Sequence, residues 1–137
     1  MNILKQNSDY ALRIMANLAV HYDGNTVIPT GTLASEEDVS PQFAAKILQK
    51  LAKAELIEST MGPAGGFKLA KDPSEVSLYD IIEAMQGPIA VNKCSPGLCA
   101  CPKQPTCPVA DVLIGIEGDI KSRFDGIKLS DVLNRIK

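Results

Sequence analysis

Apolar residues in the first part of the chain recur at helical spacing. Ala11, Ile14, Met15, Leu18 and Ala19 share one face of a predicted helix over residues 7–22, with Asn7 or Ser8 as its cap and Gly24 ending it. A second, short helix follows Pro29. Thr30 or Thr32 would cap it, and Leu33 and Ala34 supply its apolar contacts. After a tight turn through Glu37, Asp38 and Val39, Ser40 and Pro41 open a third helix. The serine oxygen accepts a first-turn N–H there, and proline at the first helical position has no N–H to lose. Phe43, Ala44, Ile47, Leu48 and Leu51 then repeat every three to four residues, leaving Gln42, Ala45, Lys46, Gln49 and Lys50 on other faces. A short helix, a tight turn and a helix with a polar, basic outer face form a helix-turn-helix pattern.

Further along, the spacing changes. Residues 56–60 read as a strand, 61–66 as a glycine-rich turn and 67–70 as a returning strand, so a β-hairpin stands where a winged helix carries its wing. Ser77 caps a fourth helix, with Asp80 completing a capping box. Leu78, Ile81, Ile82 and Met85 make its buried stripe, and Gly87-Pro88 ends it. Residues 89–106 hold Pro96, Pro102, Pro105 and Gly97 and form no continuous helix or strand. A long helix starts at Pro108. Its apolar positions Val109, Val112, Leu113, Ile116, Ile120 and Phe124 form a seam suited to dimerisation, although Gly115 and Gly118 weaken it as an isolated helix. A short tail helix, capped by Ser130, follows. The expected fold is mainly α with a small β-hairpin wing: a winged helix-turn-helix plus a long C-terminal dimerisation helix. The expected units are a DNA-binding domain over residues 1–88, a cysteine-rich loop over 89–107, and a dimerisation helix and tail over 108–137.

Composition adjusts this picture in three places. The net charge of −2 does not suggest a nucleic-acid binder, but its distribution does: between Val39 and Ala54 stand Lys46, Lys50 and Lys53 and no acid. Aromatics at 4%, with no Trp, argue against a single-strand binder built on stacking. No apolar run reaches the ~20 residues of a membrane span and no signal segment is visible, so no membrane partner and a cytoplasmic location are expected.

In that compartment clustered cysteines point to metal or redox chemistry rather than a disulfide framework. Cys94, Cys99, Cys101 and Cys107 are spaced C-x4-C-x-C-x5-C within 14 residues. Thiolates suit iron–sulfur clusters and zinc. The paired C-x2-C motifs of zinc sites are missing, so an iron–sulfur cluster (2Fe-2S or 4Fe-4S) is preferred, with zinc or a thiol switch as the alternative. The sole histidine, His21, reads as a helix-end or surface residue. No nucleophile–base constellation or phosphate loop supports an enzyme.

Ser8-Asp9-Tyr10-Ala11-Leu12-Arg13, Ser40-Pro41-Gln42-Phe43, Gly62-Pro63-Ala64-Gly65-Gly66-Phe67-Lys68-Leu69-Ala70 and Ser77-Leu78-Tyr79-Asp80-Ile81-Ile82 together carry a resemblance. With the cysteine loop and the helix after it, the chain resembles the Rrf2 family of bacterial winged-helix regulators over nearly its whole length. The resemblance implies a homodimer on a near-palindromic operator, with the third helix in the major groove and the wing at the minor groove. The family includes regulators of iron–sulfur cluster assembly, nitric-oxide sensors, iron-responsive repressors and a cluster-free regulator of cysteine metabolism.

Cluster-binding members use three cysteines and a variable fourth ligand. The resemblance matches Cys94, Cys101 and Cys107 to the three, with Cys99 extra: it either replaces Cys101 or supplies the fourth. Cluster-assembly regulators carry a histidine three residues after the last cysteine, where this chain has Ala110. Nitric-oxide sensors use an aspartate near the start of the first helix, reaching the partner subunit's cluster, and Asp9 matches it. A first-turn carboxylate is also favourable for the helix dipole alone. Ala45 replaces a discriminating glutamate and Met61 the wing's usual arginine, so a different operator and a lost wing phosphate contact are expected. The expected DNA-contacting residues are Ser40, Pro41, Gln42, Lys46 and Lys50 on the third helix, with Gln42 reading bases and the lysines holding phosphates, and Gly62 and Gly65 in the wing.

Overall fold

The computed structural model describes residues 3–90 and 108–135. Helix α1 spans Gln6–Val20, α2 Thr30–Glu36 and α3 Pro41–Lys53. Strands β1 (Ile57–Thr60) and β2 (Gly66–Leu69) follow, then a 3-10 turn Pro73–Glu75 and helices α4 (Leu78–Gln86), α5 (Pro108–Asp125) and α6 (Leu129–Leu133). The expected mainly helical winged architecture is present.

Local signals hold where their partners are local. The Ser40 hydroxyl accepts from the Phe43 N–H at 3.1 Å, with Pro41 at the first helical position. Ser77 and Asp80 exchange both capping-box bonds at 3.0 Å. The cap expected from Asn7 or Ser8 is not made. Helix α1 starts at Gln6 behind an uncapped Lys5, and Ser8 is buried with its hydroxyl donating 2.6 Å to Gln86 Oε1. The caps expected from Thr30 or Thr32 and from Ser130 are also displaced: Pro29 precedes α2, and Lys128 precedes α6.

Helices α2 and α3 end in the same way. The Val39 N–H reaches Ala34 O at 2.9 Å, and the Leu56 N–H reaches Leu51 O at 3.1 Å. The residues before them, Asp38 and Glu55, take φ of 57° and 63°. These are Schellman closures with a non-glycine residue in the left-handed position. The first makes the tight turn that sets α3 against α2.

Strands β1 and β2 pair antiparallel, with Ile57 opposite Leu69 and Thr60 opposite Gly66. Ile28 bridges Phe67 through both backbone bonds, at 2.8 and 2.9 Å, so the wing is fastened to the chain leading into α2.

The core gathers Ile14, Met15, Leu33, Ile47, Leu48, Leu51, Ile81 and Leu129, all fully buried. Leu129 belongs to α6, so the tail helix is seated in the core of the winged unit. Its Leu129 N–H donates to Val76 O, and the Leu78 N–H to Ile127 O, each at 2.9 Å. The apolar seam expected along α5 divides in two. Ile120 and Phe124 pack on Tyr79, Ile82 and Ile89, whereas Val109, Val112 and Ile116 are exposed.

Candidate nucleic-acid interface and the stem of the cysteine segment

Helix α3 buries Ala44, Ile47, Leu48 and Leu51, and this fixes its opposite face outward. Ser40, Pro41, Gln42, Lys46 and Lys50 are all exposed there, together with Gln49 and Lys53. The ion pairs among the described residues are Arg13–Asp9 and Lys68–Glu58, and neither engages an α3 lysine. Lys46, Gln49, Lys50 and Lys53 line a cleft of about 380 Å³ with Asn7, which reaches it from the first turn of α1. This arrangement suits a phosphate backbone: cations on a rigid element, free of competing carboxylates.

The wing glycines have an intramolecular explanation. A Cβ on Gly65 would lie 2.9 Å from Gly62 O and closer still to Thr60 O. One on Gly66 would lie 2.8 Å from Pro29 N and closer still to the Ile28 carbonyl. Gly62 faces open space but has φ +102°, which disfavours any side chain. Met61, at the wing tip, is 90% exposed. Lys68 Nζ braces the wing by donating to Gly24 O at 2.9 Å. The loop carrying Gly24 is closed by Asp23, whose carboxylate accepts from Thr26 Oγ1 and from the Thr26 and Asn25 N–H groups. These bonds hold its pKa down at about 2.

Cys94, Cys99, Cys101 and Cys107 lie outside the described residues, but the stem leading to them is described. Ile89 is 4% exposed and packs with Tyr79 and Ile82, and Leu4, Leu12, Ile120 and Phe124 pack against the same cluster. Burial and the Glu83 carboxylate push the Tyr79 phenol above its ordinary range, and the backbone of Ile89 hydrogen-bonds the same phenol. Asp9 is half-exposed, 3.5 Å from Arg13 Nε. Ala110, three positions after Cys107, is buried. Among the described residues, no group of three or more His, Cys, Asp and Glu is placed to hold a metal ion. His21 is exposed at the end of α1, as expected.

Sequence reasoning missed Asn7, Tyr10 and Gln86. The Tyr10 ring meets Phe43 edge-on, with centroids 5.5 Å apart. Gln86 binds three groups at the start of the chain. Partners so distant in sequence leave no local signal.

The Rrf2 family, described as an iron-dependent transcriptional regulator, matches residues 4–135. The chain belongs to the Rrf2 family. A Mycobacterium tuberculosis protein named as an HTH-type transcriptional regulator is 32% identical to this Rrf2 chain over 130 residues, covering 94% of this chain and 80% of that protein. The HTH-type transcriptional regulator IscR of Aliivibrio salmonicida is 27% identical over 130 residues, covering 95% and 76%. The fold is shared with CymR, the global cysteine regulator of B. subtilis, at a TM-score of 0.82 and 24% identity over 98% of both chains. It is also shared with T. potens IscR, at a TM-score of 0.79 and 22% identity over 98% of this chain and 88% of that one. Among the described residues, no helix is long and apolar enough to cross a membrane.

Proposed function

We propose that this Rrf2 protein is a cytoplasmic, homodimeric repressor of double-stranded operator DNA, controlled by an iron–sulfur cluster on the cysteine segment. The carrying observation is the carboxylate-free outer face of α3 beside a braced wing, on a chain whose α4 leads into four thiols within 14 residues. In this reading residues 1–88 carry the DNA contacts, 89–107 sense and 108–137 dimerise, with α6 of that last unit also completing the winged core. Ser40, Pro41 and Gln42 face the major groove, Gln42 reads base edges, and Lys46 and Lys50 hold phosphates. The wing backbone at Gly62 and Gly65 approaches the minor groove. The exposed Val109, Val112 and Ile116 of α5 supply the dimer face, setting two α3 helices about 34 Å apart on successive groove faces.

Cys94, Cys101 and Cys107 would hold the cluster, with Cys99 or Asp9 as fourth ligand. When bound, it supplies reactivity toward oxidants, nitric oxide or iron depletion. Using Asp9 means releasing Arg13, and an exposed pair of that kind is worth only ~0.2–1 kcal/mol. A cluster-free thiol switch or a zinc-containing regulator is the second reading. Ala110, standing where cluster-assembly regulators have a ligand histidine, favours it. So does similarity to an oxidized form of Staphylococcus aureus CymR, at 25% identity and a TM-score of 0.75 over 97% of this chain and 96% of that one.

Anaerobic purification separates the two. Brown protein with iron, sulfide and visible absorbance is expected, weakened in Cys99→Ala or Asp9→Ala according to which residue is the fourth ligand. Colourless protein, with stoichiometric zinc or with no metal, overturns the cluster. Retention of operator affinity and its salt dependence in Lys46→Ala overturns the docking.

A further inference from the structure

Gln86 is the last residue of α4, immediately before Gly87 and the stem of the cysteine segment. Its side-chain amide is engaged on both sides. Oε1 accepts from the Lys5 N–H at 3.0 Å and from Ser8 Oγ at 2.6 Å, while Nε2 donates to Ile3 O at 2.9 Å. Ser8 is fully buried, so its hydroxyl is committed to this bond. The first turn of α1 thus hangs on the residue that opens the sensing segment.

The same stretch of α1 grips α3 on its other side. Tyr10 meets Phe43 edge-on at 5.5 Å and 90°. Phe43 follows Gln42 directly, and its N–H is the one that Ser40 caps. Asn7 lines the lysine cleft with Lys46, Gln49, Lys50 and Lys53. Three neighbouring residues therefore divide their work: Ser8 holds the stem, Tyr10 packs on Phe43 of the helix proposed to face DNA, and Asn7 lines the cleft beside that helix. Leu4 and Leu12 of the same stretch also pack against the cluster holding Ile89. Movement at residues 86–89 therefore has a path to α3 through α1.

We propose that Gln86 and Tyr10 are positioning residues coupling the state of the cysteine segment to the set of the recognition helix, with the first turns of α1 as the connecting element. This rests on the proposed regulatory reading. A competing route is available, because α4 also packs directly on α3. Only measured coupling distinguishes them.

The test uses the full-length protein and a fluorescein-labelled duplex that the protein selects from a random-sequence pool. Dissociation constants are measured by anisotropy for the anaerobic, reduced protein and for the same protein after oxidation with diamide. Wild type is expected to show a ratio within the ~5–150-fold range usual for allosteric coupling. In Gln86→Leu, which keeps the bulk and loses all three bonds, the ratio is expected to fall toward 1. Reduced-state affinity should change less than ~3-fold, below that coupling range. Gln86→Glu keeps both acceptor bonds and should retain most of the ratio. Tyr10→Leu cuts the connection at its other end and should reproduce the collapse, which keeps the test decisive if Gln86→Leu fails to fold.

A merely structural role would weaken binding in both states equally and leave the ratio intact. An unchanged ratio in Gln86→Leu and Tyr10→Leu, with wild type responsive, overturns this inference alone and assigns the coupling to direct α4–α3 packing. A wild type whose affinity responds neither to diamide, nor to nitric oxide, nor to removal of iron by a chelator overturns the regulatory reading and this inference with it.

Discussion

Replacing Gly66 by alanine tests how the wing is held. The added Cβ would lie 2.8 Å from Pro29 N and closer still to the carbon and oxygen of Ile28. All three atoms are backbone, so none can swing aside as a side-chain tip would. Relief requires residues 28–29 to retreat, which opens the Ile28 N–H to Phe67 O bond at 2.8 Å and its reciprocal at 2.9 Å. Each such bond is worth ~0.5–1.5 kcal/mol net, so losing both costs ~1–3 kcal/mol. The alanine recovers ~0.4–1 kcal/mol by restricting the unfolded chain. The expected net loss is therefore ~1.3 kcal/mol at the midpoints and at most ~2.6 kcal/mol, read as a lower urea midpoint at unchanged slope. Hydrogen exchange localises it: the Ile28 and Phe67 amides should lose protection. Gly62→Ala is the contrast. It meets open space and has only its φ of +102° to contend with, so it should destabilise while leaving those two amides protected. Stability within ~0.5 kcal/mol of wild type in Gly66→Ala, the range of an ordinary surface substitution, with both amides protected, would refute the steric argument.

Four further outcomes follow from the same geometry. Lys46→Ala should weaken operator binding across sequences and lower the slope of log affinity against log salt by ~1, checked by anisotropy at several salt concentrations. Glu55→Gly should raise stability by up to ~1 kcal/mol, read as a higher urea midpoint, because the left-handed position at φ 63° no longer carries a Cβ; a lower midpoint contradicts this. Ser77→Ala removes a buried cap that also donates to Asp125 Oδ1 at 3.2 Å, and should cost ~1–2 kcal/mol by the same assay. Asp23 has a folded pKa of about 2, below its ordinary 3.8, so its closure of the loop is complete above the ordinary value and is lost as pH falls through the folded one. A carboxyl resonance titrating near 3.8 would contradict the three-bond closure.

What the sequence made legible was local. Ser40-Pro41 and the apolar spacing after it define α3 and its outer face without help from elsewhere. The Ser77 and Asp80 capping box does the same for α4. The start of α1 was misread because its first turn is satisfied by Gln86, 78 residues from Ser8. Helix α5 carries two neighbouring apolar stripes, and periodicity alone merges them into one seam. Only the positions of Tyr79, Ile82 and Ile89 decide that Ile120 and Phe124 turn inward. The left-handed turns after α2 and α3 carry Asp38 and Glu55, so no glycine announced them. Gly62 and Gly65 were visible and read as sites of DNA approach, whereas the structure adds that Gly65, together with Gly66, is required by crowding within the chain. On the candidate site, residue type and helical face placed Ser40, Gln42, Lys46 and Lys50 on the exposed side of α3, but the links through Asn7, Tyr10 and Gln86 depend on three-dimensional neighbours.

The burial of Leu129 bears on how the protein is made. The winged core cannot close during translation until residue 129 has left the ribosome, by which time the cysteine segment and α5 have already been synthesised. A chain cut short after the wing would lack a side chain from the centre of its core, and with it much of its stability. Losing a fully buried leucine typically costs ~2–5 kcal/mol, a large share of a domain's whole margin. A prematurely terminated product should therefore be less stable than the full chain and more open to proteases.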